Sequence, residues 1–362
     1  MSKTSRFLAL GSLTAFLLTG CGSVRMHRLT RTERHMGTQV RISVEMRTEA
    51  TQAAAAAIQD AFARIRELDG KLSDYAPASE LNRLSAAPAG QPYPVSTDLF
   101  DIMKKALDIA RASQGSFDPT VGPLVKLWRR ARRTGRRPDR HRLGEARRRV
   151  GFDKVTLDPT HHTVTLAVDG MALDLGGIAK GYAAQEALNV LRRRGFPNAL
   201  VDAGGDVVVG DAPSGRAGWR VGLAAPGRED RPVEEGVEVV RKAVATSGDA
   251  FQFVVIDGKR YSHILDPRTG EPLTHSMSVT VIARDGALAD ALASALAVLG
   301  AEEGFSLLAR YPGTQARIVV EENGSWRRSE TPGFHLVLKR KASSRDAPPA
   351  PRDEDRTRSV PE

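Results

Sequence analysis

Apolar and polar positions alternate with a period of two along residues 36–46, MGTQVRISVEM, and predict a strand. The period then lengthens. EATQAAAAAIQDAFARIRELDGKL, residues 49–72, is alanine-rich with apolar residues three and four apart, and Gly70 lies near its end; this predicts a helix. Residues 73–96, rich in Ser, Pro, Ala and Asn, read as a loop. Helical spacing resumes over 97–113, with Ser96 placed to cap the first turn. GSFDPTVGPLVKLW reads as a loop entering a short helix, its Pro and Gly fixing the chain direction.

From residue 154 the runs shorten. KVTLD, HTVTLAV and MALDL predict strands, 178–195 a helix, and ALVDAGGDVVVG, WRVGLA, VVRKAVATSG, FQFVVI and SVTVIA further strands with glycine-rich ends. A helix over 285–299 and a late strand, ARIVVEE, follow. Strands and helices mix without a repeat, which predicts a layered mixed α/β or α+β fold. Residues 341–362 carry Pro, Ser and mixed charge with almost no apolar side chain and read as a disordered tail.

The N-terminus changes the picture more than the composition does. Lys3 and Arg6 precede FLALGSLTAFLLTGC, a charged start, a short apolar run and a small-residue end. Residues 1–20 therefore read as a signal peptide. Leu18-Thr19-Gly20-Cys21 is similar to the bacterial lipoprotein box, so Cys21 is expected to be lipidated and to begin the mature chain, with 21–35 as a tether and 36–340 as the folded domain. Cys21 is the sole cysteine, so no internal disulfide forms. By resemblance to the usual lipoprotein sorting pattern, Gly22 after it, in place of Asp, leans towards the outer membrane, with the inner membrane left open. No later segment is expected to be apolar and long enough to cross a bilayer.

Of the 362 residues, 41% are apolar, enough for a sizeable core, and only 5% are aromatic, which disfavours stacking on polynucleotides. The net charge of +10 is concentrated in residues 128–149, where eleven arginines face Asp139 and Glu145. That run reads as a solvated helix pair, with an anionic lipid or acidic partner as the alternative. Export excludes nucleic acid as its partner.

Four stretches carry candidate chemistry. In MALDLGGIAKGYAAQ, residues 171–185, Gly176-Gly177 would let a ligand approach the backbone, the following helix start presents free N–H groups to phosphate, and Lys180 adds a point charge. A tight strand–helix turn with a snorkelling lysine is the plainer alternative. Gly204-Gly205-Asp206 is a second bare corner beside a carboxylate, or simply a bulge or type I′ turn. ATSGD leads towards RYSHILDPRTG, where His263 precedes a strong turn signal and is either a base or structural. In LADALASALAVLG the carboxylate of Asp290 is costly in an apolar helix unless paired or metal-bound, and Ser294 shares its face four residues on. A hard cation such as Mg²⁺ suits those oxygens; a helix Asp satisfied by its hydroxyl neighbour is the alternative.

With Met36-Gly37-Thr38, LSDYAPASELNRLS, GSFDPTVGPLVKLW, DLGGIAKGYA, AGGD, ATSGD, RYSHILDPRTG and ADALASAL in this order, the sequence resembles the ApbE family of FAD:protein FMN transferases over about residues 36–309. The resemblance implies an α+β, T-fold-like architecture and an FAD site in which Met36 and Tyr75 hold the flavin, Tyr75 by stacking. It implies further cofactor contacts from Glu80, Asp174, Lys180 and Asp206. Mg²⁺ ligation is implied for the Ala179 main-chain carbonyl, Asp290 and Ser294; many members have threonine where Ser294 stands. His263 matches the proposed catalytic base, and Lys180 is placed to stabilise phosphoryl charge. The implied activity is transfer of FMN to a Ser or Thr hydroxyl with release of AMP. Acceptors would be subunits of Na⁺-pumping quinone reductases or Rnf-type complexes outside the cytoplasm. The rivals are a Mg²⁺-dependent FAD pyrophosphatase and a non-catalytic FAD-binding lipoprotein.

Overall fold

A computed structural model describes residues 26–223, 235–248 and 252–340. The signal peptide, Cys21 and the tail from 341 lie outside the described residues. In chain order the elements are β1 (Met26–His35), β2 (Thr38–Arg47), α1 (Thr51–Leu72), α2 (Glu80–Ser85), β3 (Tyr93–Pro94), α3 (Thr97–Ala112), α4 (Gly122–Thr134) and α5 (Arg140–Arg148). There follow β4 (Val155–Asp158), β5 (Thr163–Leu166), α6 (Ala179–Arg193), β6 (Ala199–Ala203), β7 (Asp206–Val209), β8 (Trp219–Leu223), β9 (Glu235–Val239) and β10 (Ala243–Gly248). The last third comprises β11 (Phe253–Ile256), β12 (Lys259–Ser262), β13 (Leu265–Asp266), β14 (Glu271–Pro272), β15 (Met277–Ala283), α7 (Gly286–Leu308), β16 (Gln315–Glu322), β17 (Ser325–Glu330), α8 (Phe334–Val337) and β18 (Leu338–Arg340).

An eight-stranded sheet in the order β1-β2-β6-β7-β10-β15-β16-β17 forms the frame, and every neighbouring pair is antiparallel. Alternation along the strands gives it a helix-facing side. Val40, Ile42 and Val44 of β2 and Val279 and Val281 of β15 are fully buried in one core with Ile58, Phe62 and Ile65 of α1, Ala183 of α6 and Leu292 and Leu296 of α7. On the opposite side Val207, Val209, Val244 and Ile282 bury against Trp219, Val237 and Phe334, which belong to β8, β9 and α8. β7 is thus buried on both faces, which is why DVVV reads as a continuous apolar run. Helices on one face and a small sheet on the other make the fold α+β.

The predicted strand at 36–46, the helices at 49–72 and 97–113 and the Ser96 cap, whose Oγ accepts from Leu99 N, all match the structure. Four expectations are corrected. Residues 26–35, read as tether, form β1, paired with β2 along its whole length. Its only strongly apolar positions are Met26 and Leu29, and Arg28, Arg31, Glu33 and Arg34 mask the alternation, as expected of a charged edge strand. The loop at 73–96 contains α2, capped by Ser79, whose side chain accepts from Asn82 N. MALDL forms no ladder; Ala172 makes a single parallel bridge to Val121. Finally, α7 runs past 299 through a non-helical Gly300 and, by length and composition, is long and apolar enough to cross a membrane. Its first half is buried against the sheet and α6, which identifies it as the core helix.

Candidate active site at one end of the sheet

Two hairpin turns mark the end of the sheet where the predicted residues gather. His35 pairs with Thr38, so Met36-Gly37 is a two-residue turn, and Ala203 pairs with Asp206, so Gly204-Gly205 is another. The second corner is therefore a turn rather than a bulge. Met36 adopts φ 50° where such turns favour Asn, a strained choice for a long side chain. Asp69 of α1 holds it there by accepting the Met36 N–H at 2.8 Å.

Beside these turns, α6 and α7 cross with backbone against backbone. A Cβ on Gly181 would collide with the Gly286 carbonyl, so only glycine permits the approach. The crossing delivers Asp290 of α7 to the start of α6, where its Oδ2 accepts the Gly181 N–H at 3.1 Å. Ile178, the residue at the N-cap, makes no side-chain cap, so Asp290 serves as the cap from a neighbouring helix. Ala179, buried, is the first residue of that same turn.

Three charges share this pocket. Lys180 and Asp206 form an ion pair, and Asp290 acts on both. Burial opposes the Lys180 charge, but Asp206 and Asp290 outweigh it and hold its pKa above the ordinary lysine value. Two buried carboxylates and one ammonium leave one negative charge in excess. Both carboxylates bear the cost: burial raises the Asp206 pKa despite Lys180, and burial first, with Asp206 second, pushes that of Asp290 up to about 7.

One helical turn on, Ser294 Oγ lies 3.4 Å from Ser247 Oγ of β10. It also stands 2.8 Å from where a Cβ on Gly177 would sit, with Phe117 at 3.3 Å from the same point. Gly177 is thus a bare backbone corner facing a hydroxyl. Ahead of it, Asp174 Oδ1 accepts the Gly176 N–H at 2.8 Å, and its own N–H bonds to the Pro119 carbonyl at 2.8 Å. Burial and then the nearby Asp74 raise the Asp174 pKa.

The arginine-rich segment, assigned no chemistry from sequence, enters here. Arg129 of α4 donates to Asp74 and to Asp174, the latter at 3.2 Å, and its guanidinium carbon lies 4.2 Å from the centre of the Tyr75 ring. Tyr75 itself is 74% exposed. Sequence reasoning could not find this bridge, because it joins three segments far apart in the chain. Ser116, inside a recognised motif but not singled out, has a buried hydroxyl oxygen without a hydrogen-bond partner among the described residues.

Two predicted residues stand apart. Glu80 is buried, and its carboxylate takes both the N–H and the hydroxyl of Ser96. It fastens the start of α3, and the structure gives it no contact with the other site residues. His263 follows β12, and its Nδ1 lies 3.2 Å from the Gln252 carbonyl. A carbonyl only accepts, so Nδ1 carries the proton in this contact.

Among the described residues no group of three or more His, Cys, Asp and Glu side chains is arranged to hold a metal. The expected set of one carboxylate, one hydroxyl and one carbonyl does not need such a group. The excess negative charge at Asp290 and the adjoining Ser294 oxygen fit a hard cation.

Fold and site define a class: an antiparallel α+β protein with an acid–lysine cluster at the start of α6. Comparison with known proteins narrows it. The ApbE family model matches residues 36–318. The FAD:protein FMN transferase of Treponema pallidum is 34% identical over 339 residues, covering 89% of this chain and 93% of the relative. That of Vibrio cholerae is 33% identical over 67% of this chain and 73% of its own length. The solved structure of the flavin transferase ApbE from Vibrio cholerae superposes with a TM-score of 0.77 at 28% identity, covering 86% of this chain and all of that one. The chain belongs to the ApbE family.

Proposed function

We propose that this chain is an FAD:protein FMN transferase that uses a divalent cation, with Mg²⁺ the first candidate. The observation that carries the reading is the cluster of Lys180, Asp206 and Asp290 at the start of α6, with Ser294 facing the Gly177 corner, in a chain whose relatives bear that activity. Met36 and Tyr75 would take the flavin, Asp174 the adjoining part of FAD. Asp290, Ser294 and the Ala179 carbonyl would hold the cation, which supplies neutralisation of pyrophosphate charge when bound.

The reaction is attack of a Ser or Thr hydroxyl oxygen of the acceptor on the phosphorus of the FMN half. A new P–O bond forms, the bond to the bridging oxygen breaks, and AMP leaves with that oxygen. His263 Nε2 takes the hydroxyl proton. The carbonyl of Gln252, by fixing Nδ1–H, keeps the ring in the tautomer that can do so. Lys180 is already paired with Asp206, so its role is to hold the local charge balance and to face the phosphoryl oxygens from a fixed position.

Incubating the protein with FAD, Mg²⁺ and an Rnf-type acceptor domain tests this. Flavin covalently on the acceptor, with stoichiometric AMP, supports it. Free FMN plus AMP in the presence of acceptor supports the pyrophosphatase, and unchanged FAD a binding protein. The signal-like residues 1–20 and the box ending at Cys21 further support export and a lipid anchor on the outer side of the bacterial inner membrane or on the outer membrane. Cys21→Ala is expected to leave the membrane fraction and remain active; a membrane-bound mutant would contradict the anchor.

A further inference from the structure

Arg129 belongs to none of the chemistry above, yet three contacts converge on it. Its Nη1 pairs with Asp74, its Nη2 donates to Asp174 Oδ2 at 3.2 Å, and its guanidinium carbon lies 4.2 Å from the Tyr75 ring centre. The side chains of Asp74 and Asp174 are 13% and 9% exposed, so both anchors are sheltered from water and salt. Tyr75 is the opposite: the ring stands out from a surface loop, and the nearest backbone restraint is its own N–H on Ser73 Oγ at 3.3 Å. A guanidinium is planar and forked. It can grip two carboxylates at its edge while its face covers a ring; an ammonium cannot do both.

The three contacts tie together two segments that the chain keeps a hundred residues apart, the Asp74-Tyr75 loop and the stretch that leads into the Gly176-Gly177 corner. We infer that Arg129 is a positioning residue for the flavin: it holds the Tyr75 ring in a fixed plane, with one face covered and the rest of the ring open to the incoming isoalloxazine. The gain is preorganisation. A tyrosine on a surface loop would otherwise lose rotamer freedom when the flavin arrives, and that cost is met beforehand by the buried anchors. The inference rests on the reading that Tyr75 stacks on the flavin.

A double-mutant cycle separates the two. FAD dissociation constants are measured by flavin fluorescence titration for the full chain, Tyr75→Ala, Arg129→Ala, the double mutant and Arg129→Lys. Arg129→Ala is expected to raise the dissociation constant about 10-fold, and Arg129→Lys nearly as much, because lysine lacks the fork and the plane. In the Tyr75→Ala background the loss of Arg129 should add less than about 2-fold, since its effect passes through the ring. Unchanged FAD affinity in Arg129→Ala overturns the inference. So does tighter binding, which would mean that the guanidinium occupies the flavin's place. An equally large Arg129 effect without Tyr75 also overturns it, by showing that the arginine acts through Asp174 or the fold and not through the ring. If Tyr75→Ala itself leaves FAD binding unchanged, the stacking reading fails first and the inference falls with it.

Discussion

The two ends of the site are built differently. At the end proposed for the phosphates, Lys180, Asp206, Asp290 and Ser294 sit on α6, α7 and β7, elements locked by backbone contact at Gly181 and Gly286, with both carboxylates buried. At the end proposed for the flavin, Tyr75 sits on a loop with Arg129 as the strut beneath it, and His263, which stands apart from both, follows a small hairpin. The first end stores unfavourable charge inside the core; the second presents side chains to arriving molecules. Substitutions at the first should therefore move stability together with activity, and substitutions at the second should move binding or rate with stability left alone.

His263→Ala is the sharpest test of that division. Transfer is expected to slow by about 10²–10⁴-fold, the range for losing a general base, with FAD affinity and melting temperature retained. A large drop in melting temperature would place His263 with the structural end. Gly181→Ala should do the reverse. A methyl there meets the Gly286 carbonyl, and forcing the helices apart is expected to cost about 3 kcal/mol in chemical denaturation while also displacing Asp290. A stability loss well under 1 kcal/mol would mean that the crossing is looser than the contacts indicate.

The contrast also explains what was legible in the sequence. The phosphate end announced itself because its chemistry violates local pattern: one carboxylate in the apolar run LADALASALAVLG and paired glycines before a helix are visible without knowing the fold. The helices, the central strands and the Ser96 cap followed from periodicity and capping rules that act within a few residues. β1 was hidden because an edge strand carries charges on the positions that would otherwise alternate. Glu80 shows a different limit. Its motif points to a ligand, while its carboxylate is spent on Ser96, sixteen residues away, and only tertiary structure reveals the pairing. The Arg129 bridge is hidden for the same reason, since nothing in an arginine run tells which guanidinium will find two acids and a ring.

Tyr75→Ala is expected to weaken FAD binding by about 2 kcal/mol, on the scale of aromatic stacking, without changing the denaturation midpoint. Titration with FAD checks it, and a shifted midpoint with unchanged affinity would assign the ring to the fold instead.

The central claim is that the phosphate end gives up stability to hold an excess carboxylate for a cation. The pH sign follows from Asp290. Its folded pKa of about 7 lies above the ordinary aspartate value of 3.8, so between those values the folded state binds more protons than the unfolded one. Stability contributed by the protonated acid is present below about 4 and is lost as pH rises through 7. Asp290→Asn removes the penalty and keeps an oxygen for the Gly181 N–H. The decisive measurement is the unfolding free energy of wild type and Asp290→Asn, freed of divalent ions, at pH 8 and pH 4.5, and again at pH 8 with Mg²⁺. The account predicts that the mutant is more stable than wild type by about 1–2 kcal/mol at pH 8 and little different at pH 4.5, and that Mg²⁺ stabilises only the wild type. A mutant less stable than wild type at pH 8 without metal, or one that Mg²⁺ stabilises equally, would contradict it.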